Sequence, residues 1–98
     1  MPEPRHWYLV MYDISSPVAL RKAHKLLCAW GAPVQYSVFR VRASRRQINQ
    51  LHHELLRIVS SDDRLMLIRV CDACLQTAIL EGRDLEPFDL DPPISDVF

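Results

Sequence analysis

The chain has 98 residues, of which 49% are hydrophobic and 24% are charged. This length and composition indicate a single globular domain and exclude a disordered or fibrous protein. No apolar run approaches the roughly 18 residues that a membrane span requires, and the N-terminus lacks the features of a secretory signal, so we expect a cytoplasmic protein that does not enter a membrane. The three cysteines are an odd number and do not indicate a disulfide framework.

Charge is distributed unevenly along the chain, although the formal net charge is zero. Residues 1–49 contain eight Lys and Arg side chains against two acidic ones, whereas residues 50–98 contain four against ten. This asymmetry is consistent with a basic working surface and an acidic tail. It is equally consistent with two halves that neutralise each other in the fold.

The first predicted elements are a strand and a helix. Residues 7–13 are strand formers that are apolar on both faces, which is typical of a buried central strand. Ser16 is the predicted cap of a helix that starts at Pro17. Gly31 and Pro33 are predicted to end this helix.

The following segment predicts more strands and a second helix. Residues 34–42 are predicted as a strand region long enough to bend into two short strands. Ser44 and Gln47 have the spacing of a capping box at the start of the second helix. A third apolar strand is predicted over residues 65–70, and residues 76–80 are a candidate short extra strand.

The order of strands and helices with short connections implies an α+β fold with both helices on one face of a sheet. The other face of this sheet is also apolar, and a second copy of the chain is its simplest cover. From residue 83 onward the chain is acidic and contains three prolines. We therefore expect a domain over residues 1–82 and an extended C-terminal tail over residues 83–98.

Asp13 is the candidate catalytic and metal-binding residue. It ends the central predicted strand, a position where α/β sheets often place sites, and its carboxylate suits a hard cation such as Mg²⁺. From sequence position alone, a turn-capping role beside Ser15 and Ser16 is favoured. One carboxylate per chain is too few for a metal nuclease, but two facing Asp13 residues in a dimer would remove that objection.

Seven basic residues form the candidate nucleic-acid-binding surface. Three lie in the first predicted helix, where an ordinary solvated face is the commoner alternative, and four run from a strand into the second helix. Guanidinium groups suit bidentate contacts with phosphate. Tyr12, Tyr36 and Phe39 are candidates for base stacking, although Phe39 is favoured as a core residue. The basic residues are Arg21, Lys22, Lys25, Arg40, Arg42, Arg45 and Arg46.

A single CxxC motif joins Cys71 and Cys74. It supplies two of the four ligands of a structural zinc site, and the adjacent His52 and His53 point in different directions on a predicted helix. Zinc and redox roles stay open, and a reduced pair in a turn is favoured. Cys28 is expected to be a buried helix residue.

Several of these segments together resemble the family of CRISPR-associated protein two, the small partner of the Cas integrase. The resemblance covers about residues 7–82 and rests on Asp13 in the strand YLVMYDIS, on Arg21, on the Trp-Gly pair, and on the runs VQYSVF and RVCDAC. It implies a ferredoxin-like βαββαβ sandwich with a short extra C-terminal strand. It also implies a symmetric homodimer in which that last strand pairs with the sheet of the other copy.

The resemblance implies two functions for the chain. Family members are described as metal-dependent endonucleases on RNA or double-stranded DNA, and the aspartate that matches Asp13 is the metal ligand at the dimer interface. In spacer acquisition the dimer instead bridges the integrase and holds double-stranded DNA, without catalysis of its own. A stand-alone ribonuclease toxin of similar fold is a further alternative. Arg40 stands where family members often have Glu, a departure that favours DNA binding over nuclease chemistry.

Overall fold

A computed structural model describes residues 3–88 as a four-stranded antiparallel sheet with two long helices packed on one face. The strand order is β2-β3-β1-β4, and every neighbouring pair is antiparallel. This arrangement confirms the predicted ferredoxin-like α+β fold. The elements are β1 (Arg5–Asp13), α1 (Pro17–Trp30), β2 (Gly31–Gln35), β3 (Val38–Ser44), α2 (Arg45–Leu56), β4 (Arg64–Val70) and α3 (Asp72–Gln76).

The core lies between the helices and one face of the sheet. Alternate side chains of β1 and β3 point into it, as the two-residue period of a strand requires, and the buried stripes of α1 and α2 recur at helical spacing. Both helices therefore bury their apolar sides against the same two central strands. The core residues of these elements are Tyr8, Val10, Tyr12, Ala23, Leu27, Phe39, Val41, Ala43, Ile48, Leu51 and Leu55.

The two long helices begin at the residues that the sequence predicts. The Ala19 backbone N–H donates to the Ser16 side-chain oxygen at 3.3 Å, and proline occupies the first helical turn of α1. At α2, the Gln47 backbone N–H donates to Ser44 Oγ at 3.2 Å, while the Ser44 backbone N–H donates to Gln47 Oε1 at 2.9 Å. This reciprocal pair is the predicted capping box, and it satisfies donors that have no partner within the helix.

The predicted strand region of residues 34–42 is a hairpin in the structure. Tyr36 and Ser37 form a turn that separates β2 from β3, and β2 already begins at Gly31. Gly31 has an extended backbone, and a Cβ atom built on it would lie 2.0 Å from the carbonyl oxygen of Arg40. Gly31 follows the last residue of α1, as predicted, and the close approach of two strands is what requires a glycine there.

The C-terminal part of the described chain differs from the prediction. Within residues 3–88 no strand forms over residues 76–80, because α3 ends at Gln76 and the following residues have no regular structure. A strand needs a hydrogen-bonded neighbour, and the single chain pairs no sheet edge with this segment. Instead, Gly82 (φ 119°) and Asp84 (φ 62°) turn the chain so that Phe88 contacts the sheet.

Three further observations concern the predicted tail, the burial of Cys28 and the prediction that the chain does not enter a membrane. Residues 89–98 of the predicted tail lie outside the described residues. Cys28 is exposed on α1, so the expectation of a buried cysteine was wrong. Among residues 3–88, no helix combines the length and the apolar character needed to cross a membrane.

Candidate metal and nucleic-acid sites

Asp13 lies at the exposed end of the central strand β1. Its neighbour across the sheet is Arg64, the first residue of β4. Among residues 3–88, the Asp13 carboxylate accepts no hydrogen bond and forms no ion pair with another side chain. The predicted candidate is thus an exposed carboxylate without an established structural role in the described chain.

The turn after β1 is stabilised by Asp63 instead. One oxygen of the Asp63 carboxylate accepts from the Ser15 backbone N–H at 3.1 Å, and the other accepts from the Ser60 backbone N–H at 2.9 Å. These two donors, Ser60 first, lower the pKa of Asp63. Sequence analysis missed this role of Asp63, for which the Ser60–Asp63 spacing in a polar loop was the only local signal.

The residues of one chain do not by themselves form a metal site. Within the described part of the chain, no three His, Cys, Asp or Glu side chains are grouped closely enough to hold a metal ion. Mg²⁺ retains several waters and is commonly held by one or two carboxylates. The exposed Asp13 fits one such ligand, and the Asp13 of a second copy would have to provide another.

A groove runs between α1 and the turn that joins β2 to β3. We call it the α1 groove, and its volume is about 660 Å³. Arg21 and Lys25 line it from the helix together with His24, and Tyr36 lines it from the turn. Tyr36 is 88% exposed, so its ring is accessible from solvent. The α1 groove therefore combines two cations with one accessible ring.

The other two aromatic candidates for base stacking are core residues. Tyr12 is 5% exposed, and Phe39 is fully buried, with its ring 6.3 Å from that of Tyr12 between centroids. A base cannot reach either ring without displacing the core. Of the three predicted stacking residues, Tyr36 alone is accessible.

Arg45 and Arg46 lie at the opposite end of the sheet from Asp13. They are the exposed first residues of α2, directly after Ser44, which pairs with Arg5 at the start of β1. A nine-residue strand separates the two ends by roughly 26 Å, since each residue advances about 3.3 Å. Arg45 and Arg46 therefore lie far from Asp13, and they do not line the α1 groove.

Arg40 and Arg42 face the side of the sheet opposite the helices. The Cζ atom of Arg40 lies 5.1 Å from the ring centroid of Trp7 and 4.7 Å from that of Phe88. The Arg40 guanidinium also donates to the Glu86 carbonyl oxygen at 2.5 Å. Arg42 lies near the same Trp7 ring, with its Cζ atom 5.9 Å from the centroid. These two arginines therefore contact the sheet face and the C-terminal segment, away from the α1 groove.

The rest of this sheet face is apolar and open. We call it the open face, and it consists of side chains of β1 and β4 in register, with Leu9 opposite Ile68 and Met11 opposite Met66. Met66 is 56% exposed and Ile68 is 47% exposed. Adjacent exposed apolar side chains on a sheet are typical of a surface that another molecule covers.

Comparison with known proteins identifies the family to which this chain belongs. The sequence model described as CRISPR associated protein Cas2 matches residues 6–78, which is most of the chain. This chain belongs to the Cas2 family. A relative from Chloroflexus aurantiacus, the CRISPR-associated endoribonuclease Cas2 1, is 36% identical over 78 residues, which cover 78% of this chain and 84% of the relative.

Solved structures share the fold of this chain. The crystal structure of the hypothetical protein TT1823 from Thermus thermophilus superposes with a TM-score of 0.75 at 26% identity, covering 86% of this chain and 99% of that chain. One chain of a partial Cas6-RT-Cas1–Cas2 complex has a TM-score of 0.59 at 20% identity and covers 87% of this chain and 98% of its own length. At this low identity, the likeness to the chain of the complex shows only that the two chains share a fold.

Proposed function

We propose that this Cas2-family chain is a cytoplasmic subunit of a CRISPR adaptation complex. In this proposal a homodimer binds double-stranded DNA and bridges the Cas integrase. The observation that carries the DNA-binding part is the α1 groove, in which Arg21 and Lys25 lie beside the exposed ring of Tyr36. Membership of the Cas2 family supports the role in adaptation.

The open face supports the homodimer. Met66 and Ile68 are half exposed on an edge strand, and their register partners on β1 are also apolar. A domain of this size buries a limited core, and dimerisation through an apolar sheet face adds buried area to it. In a symmetric dimer, each basic surface of one copy is repeated on the other, which doubles the number of cations available to a duplex.

Contacts between these cations and DNA would be made to phosphates. Arg21, Lys22 and Lys25 are exposed on α1, and Arg45 and Arg46 are exposed at the start of α2. Phosphate contacts carry little sequence information, and they release counterions, so affinity falls steeply with salt. We therefore expect binding with slight sequence preference and a strong dependence on salt concentration.

The test compares paired substitutions in a titration of double-stranded DNA at several salt concentrations. Replacing Arg21 and Lys25 together by Ala should reduce the slope of log affinity against log salt by about two if each contacts one phosphate. The Tyr36→Ala variant should weaken binding without changing this slope, since a ring carries no charge. Arg83→Ala, which removes an exposed arginine that does not line the α1 groove, is the matched control and should behave as wild type.

The same proteins test the role in adaptation by co-purification with the integrase subunit. Wild type is expected to co-purify as a dimer in complex. An unchanged salt slope in the double variant would contradict DNA binding at the α1 groove, and failure of the wild-type chain to bind the integrase would contradict bridging. A stand-alone ribonuclease toxin would cleave RNA and bind no integrase.

A second candidate function is metal-dependent cleavage of RNA or DNA. The observation in its favour is that Asp13 is exposed and has no partner among the described residues, so its carboxylate is available to a metal. Two Asp13 residues of a dimer would hold Mg²⁺, which would supply an activated water and stabilise charge on the phosphate. The Chloroflexus relative carries the name of an endoribonuclease.

The Asp13→Asn variant separates this activity from bridging. It should keep its melting temperature, because the carboxylate has no structural partner, and should lose Mg²⁺-dependent cleavage while still assembling with the integrase. Asp62→Asn, which removes an exposed carboxylate from the loop before β4, is the matched control. Cleavage by Asp13→Asn at the wild-type rate would exclude Asp13 as an essential ligand.

A further inference from the structure

Two exposed thiols lie next to each other where β4 joins α3. Cys71 is the residue between strand and helix, and Cys74 lies three residues later in the first turn of α3. Their Sγ atoms are 3.5 Å apart, and both side chains are exposed. The proposed binding and bridging functions use neither residue. The pair is therefore a cluster of two nucleophiles without an assigned role.

The short distance between the two Sγ atoms favours a disulfide. A disulfide needs an S–S distance of about 2.05 Å, so the two Sγ atoms must approach by about 1.5 Å, which rotation of two exposed side chains can supply. Cys71 has an extended backbone (φ −76°, ψ 161°) and occupies the position directly before the first residue of α3. At α2, Ser44 and Gln47 make their reciprocal contacts across the same three-residue spacing.

The two thiols are chemically unequal. The Cys74 backbone N–H, followed by the Cys74 thiol, lowers the pKa of the Cys71 thiol. The hydrogen bond with Cys71 and its charge raise the pKa of the Cys74 thiol. Since the thiolate is the nucleophile, this difference favours Cys71 as the thiol that attacks first and leaves Cys74 protonated for the second step.

A metal site is the alternative use of two close cysteines. Structural zinc needs four ligands, whereas residues 3–88 contain no group of three His, Cys, Asp or Glu side chains around this pair or elsewhere. The expected cytoplasmic setting keeps thiols reduced, so a disulfide there would be transient, as in redox-sensing proteins. The geometry thus fits two-electron thiol chemistry better than metal binding.

We propose that Cys71 and Cys74 form a reversible thiol–disulfide exchange site whose oxidant is a low-molecular-weight disulfide of the glutathione type. The Cys71 thiolate attacks one sulfur of the oxidant, forms a mixed disulfide and releases one thiolate, which takes up a proton. Cys74 then loses its proton and attacks Sγ of Cys71, which releases the second small thiol. The pair loses two electrons and two protons, and the oxidant becomes two thiols.

The experiment uses the full chain in buffers of reduced or oxidised glutathione, quenched with acid and then alkylated with N-ethylmaleimide. The expected result in oxidised glutathione is the loss of two of the three alkylatable thiols. The tryptic peptide of residues 70–83, which contains both cysteines, should become lighter by two hydrogen atoms. Dithiothreitol should restore both thiols, and Cys28 should remain alkylatable throughout.

Single serine variants test the order of the two steps, and they should fold because all three cysteines are exposed. Cys74→Ser should stop at the mixed disulfide on Cys71, and Cys71→Ser should react more slowly with oxidised glutathione. Cys28→Ser is the matched control and should form the intramolecular disulfide as wild type does. The proposal is overturned if both thiols stay alkylatable in excess oxidised glutathione, if the disulfide joins two chains, or if Zn²⁺ protects the pair and oxidised glutathione does not.

Discussion

The guanidinium of Arg40 lies over the ring of Phe88, with its Cζ atom 4.7 Å from the ring centroid. The ring of Trp7 also lies close to the guanidinium, with its centroid 5.1 Å from Cζ, and it meets Phe88 edge-on at 5.1 Å between centroids. The contacts of this cation with both rings, and of the rings with each other, attach the C-terminal segment to the face of the sheet. The side chain of Arg40 is accordingly 14% exposed, whereas its ion-pair partner Glu86 is exposed and contributes little.

This contact predicts that Arg40→Ala releases the C-terminal segment while the core stays folded. Loss of the contact should cost about 0.5–2 kcal/mol, the range for cation–π interactions from exposed to desolvated sites. Hydrogen exchange at residues 85–88 should become faster, and exchange in β1 and α2 should not change. Arg83→Ala is the matched control because this exposed arginine lies in the same segment. Unchanged exchange at residues 85–88 in Arg40→Ala would show that other contacts hold the segment.

Local sequence signals predicted much of the fold. The caps Ser16 and Ser44, the apolar stripes of α1 and α2 and the alternation in β1 depend on residues within four positions of each other, so the sequence alone indicates them. Arg40 illustrates what such signals miss. Its guanidinium donates to the carbonyl oxygen of Glu86, which is 46 residues away in the sequence, and no local pattern predicts that contact.

The candidate site depends on similar distant contacts. The sequence favoured Asp13 as the residue that caps the turn beside Ser15. In the structure Asp63 accepts the hydrogen bond from Ser15, and a contact between residues 48 positions apart leaves no local pattern in the sequence. The turn at Tyr36 and Ser37 lacks the glycine, asparagine or proline that usually marks a hairpin. For this reason the hairpin was predicted as a bent strand, and the exposed position of Tyr36 came only from the structure.

The two hydrogen bonds that Asp63 accepts predict that its contribution to stability depends on pH. Its pKa is lower in the folded state than the value of about 3.9 in unfolded chains, so its contribution is fully present above that value. The contribution is lost as the pH falls through the lower folded-state pKa. Asp63→Ala should therefore lower the melting temperature at neutral pH, and its difference from wild type should shrink in acid. Asp62→Ala, the neighbouring control, should match wild type at both pH values; a constant difference for Asp63→Ala would contradict this account.

The close contact at Gly31 predicts that Gly31→Ala strongly lowers the free energy of unfolding. In Gly31→Ala the new Cβ atom would lie 2.0 Å from the Arg40 carbonyl oxygen and 3.0 Å from the Val41 side chain. Backbone has to shift to relieve this overlap, so urea unfolding should show a loss of about 1–3 kcal/mol, as for other overpacked sites. Ala32→Ser adds an atom at the next, exposed position and should be nearly neutral. Equal stability of Gly31→Ala and wild type would mean that β2 and β3 separate freely.

The open face predicts that the oligomeric state depends on Ile68. In a dimer that buries this face, Ile68→Lys would place a charge in an apolar interface on both copies. Because a symmetric dimer contains the change twice, the dissociation constant should rise at least about 100-fold, which corresponds to about 1.4 kcal/mol per copy. Light scattering at micromolar concentration should give a dimer for wild type and a monomer for Ile68→Lys. Val18→Lys replaces a comparably exposed apolar side chain on α1 and should remain dimeric, because that helix lies on the other side of the sheet. A monomeric wild type, or a dimeric Ile68→Lys, would place the dimer interface elsewhere or exclude it.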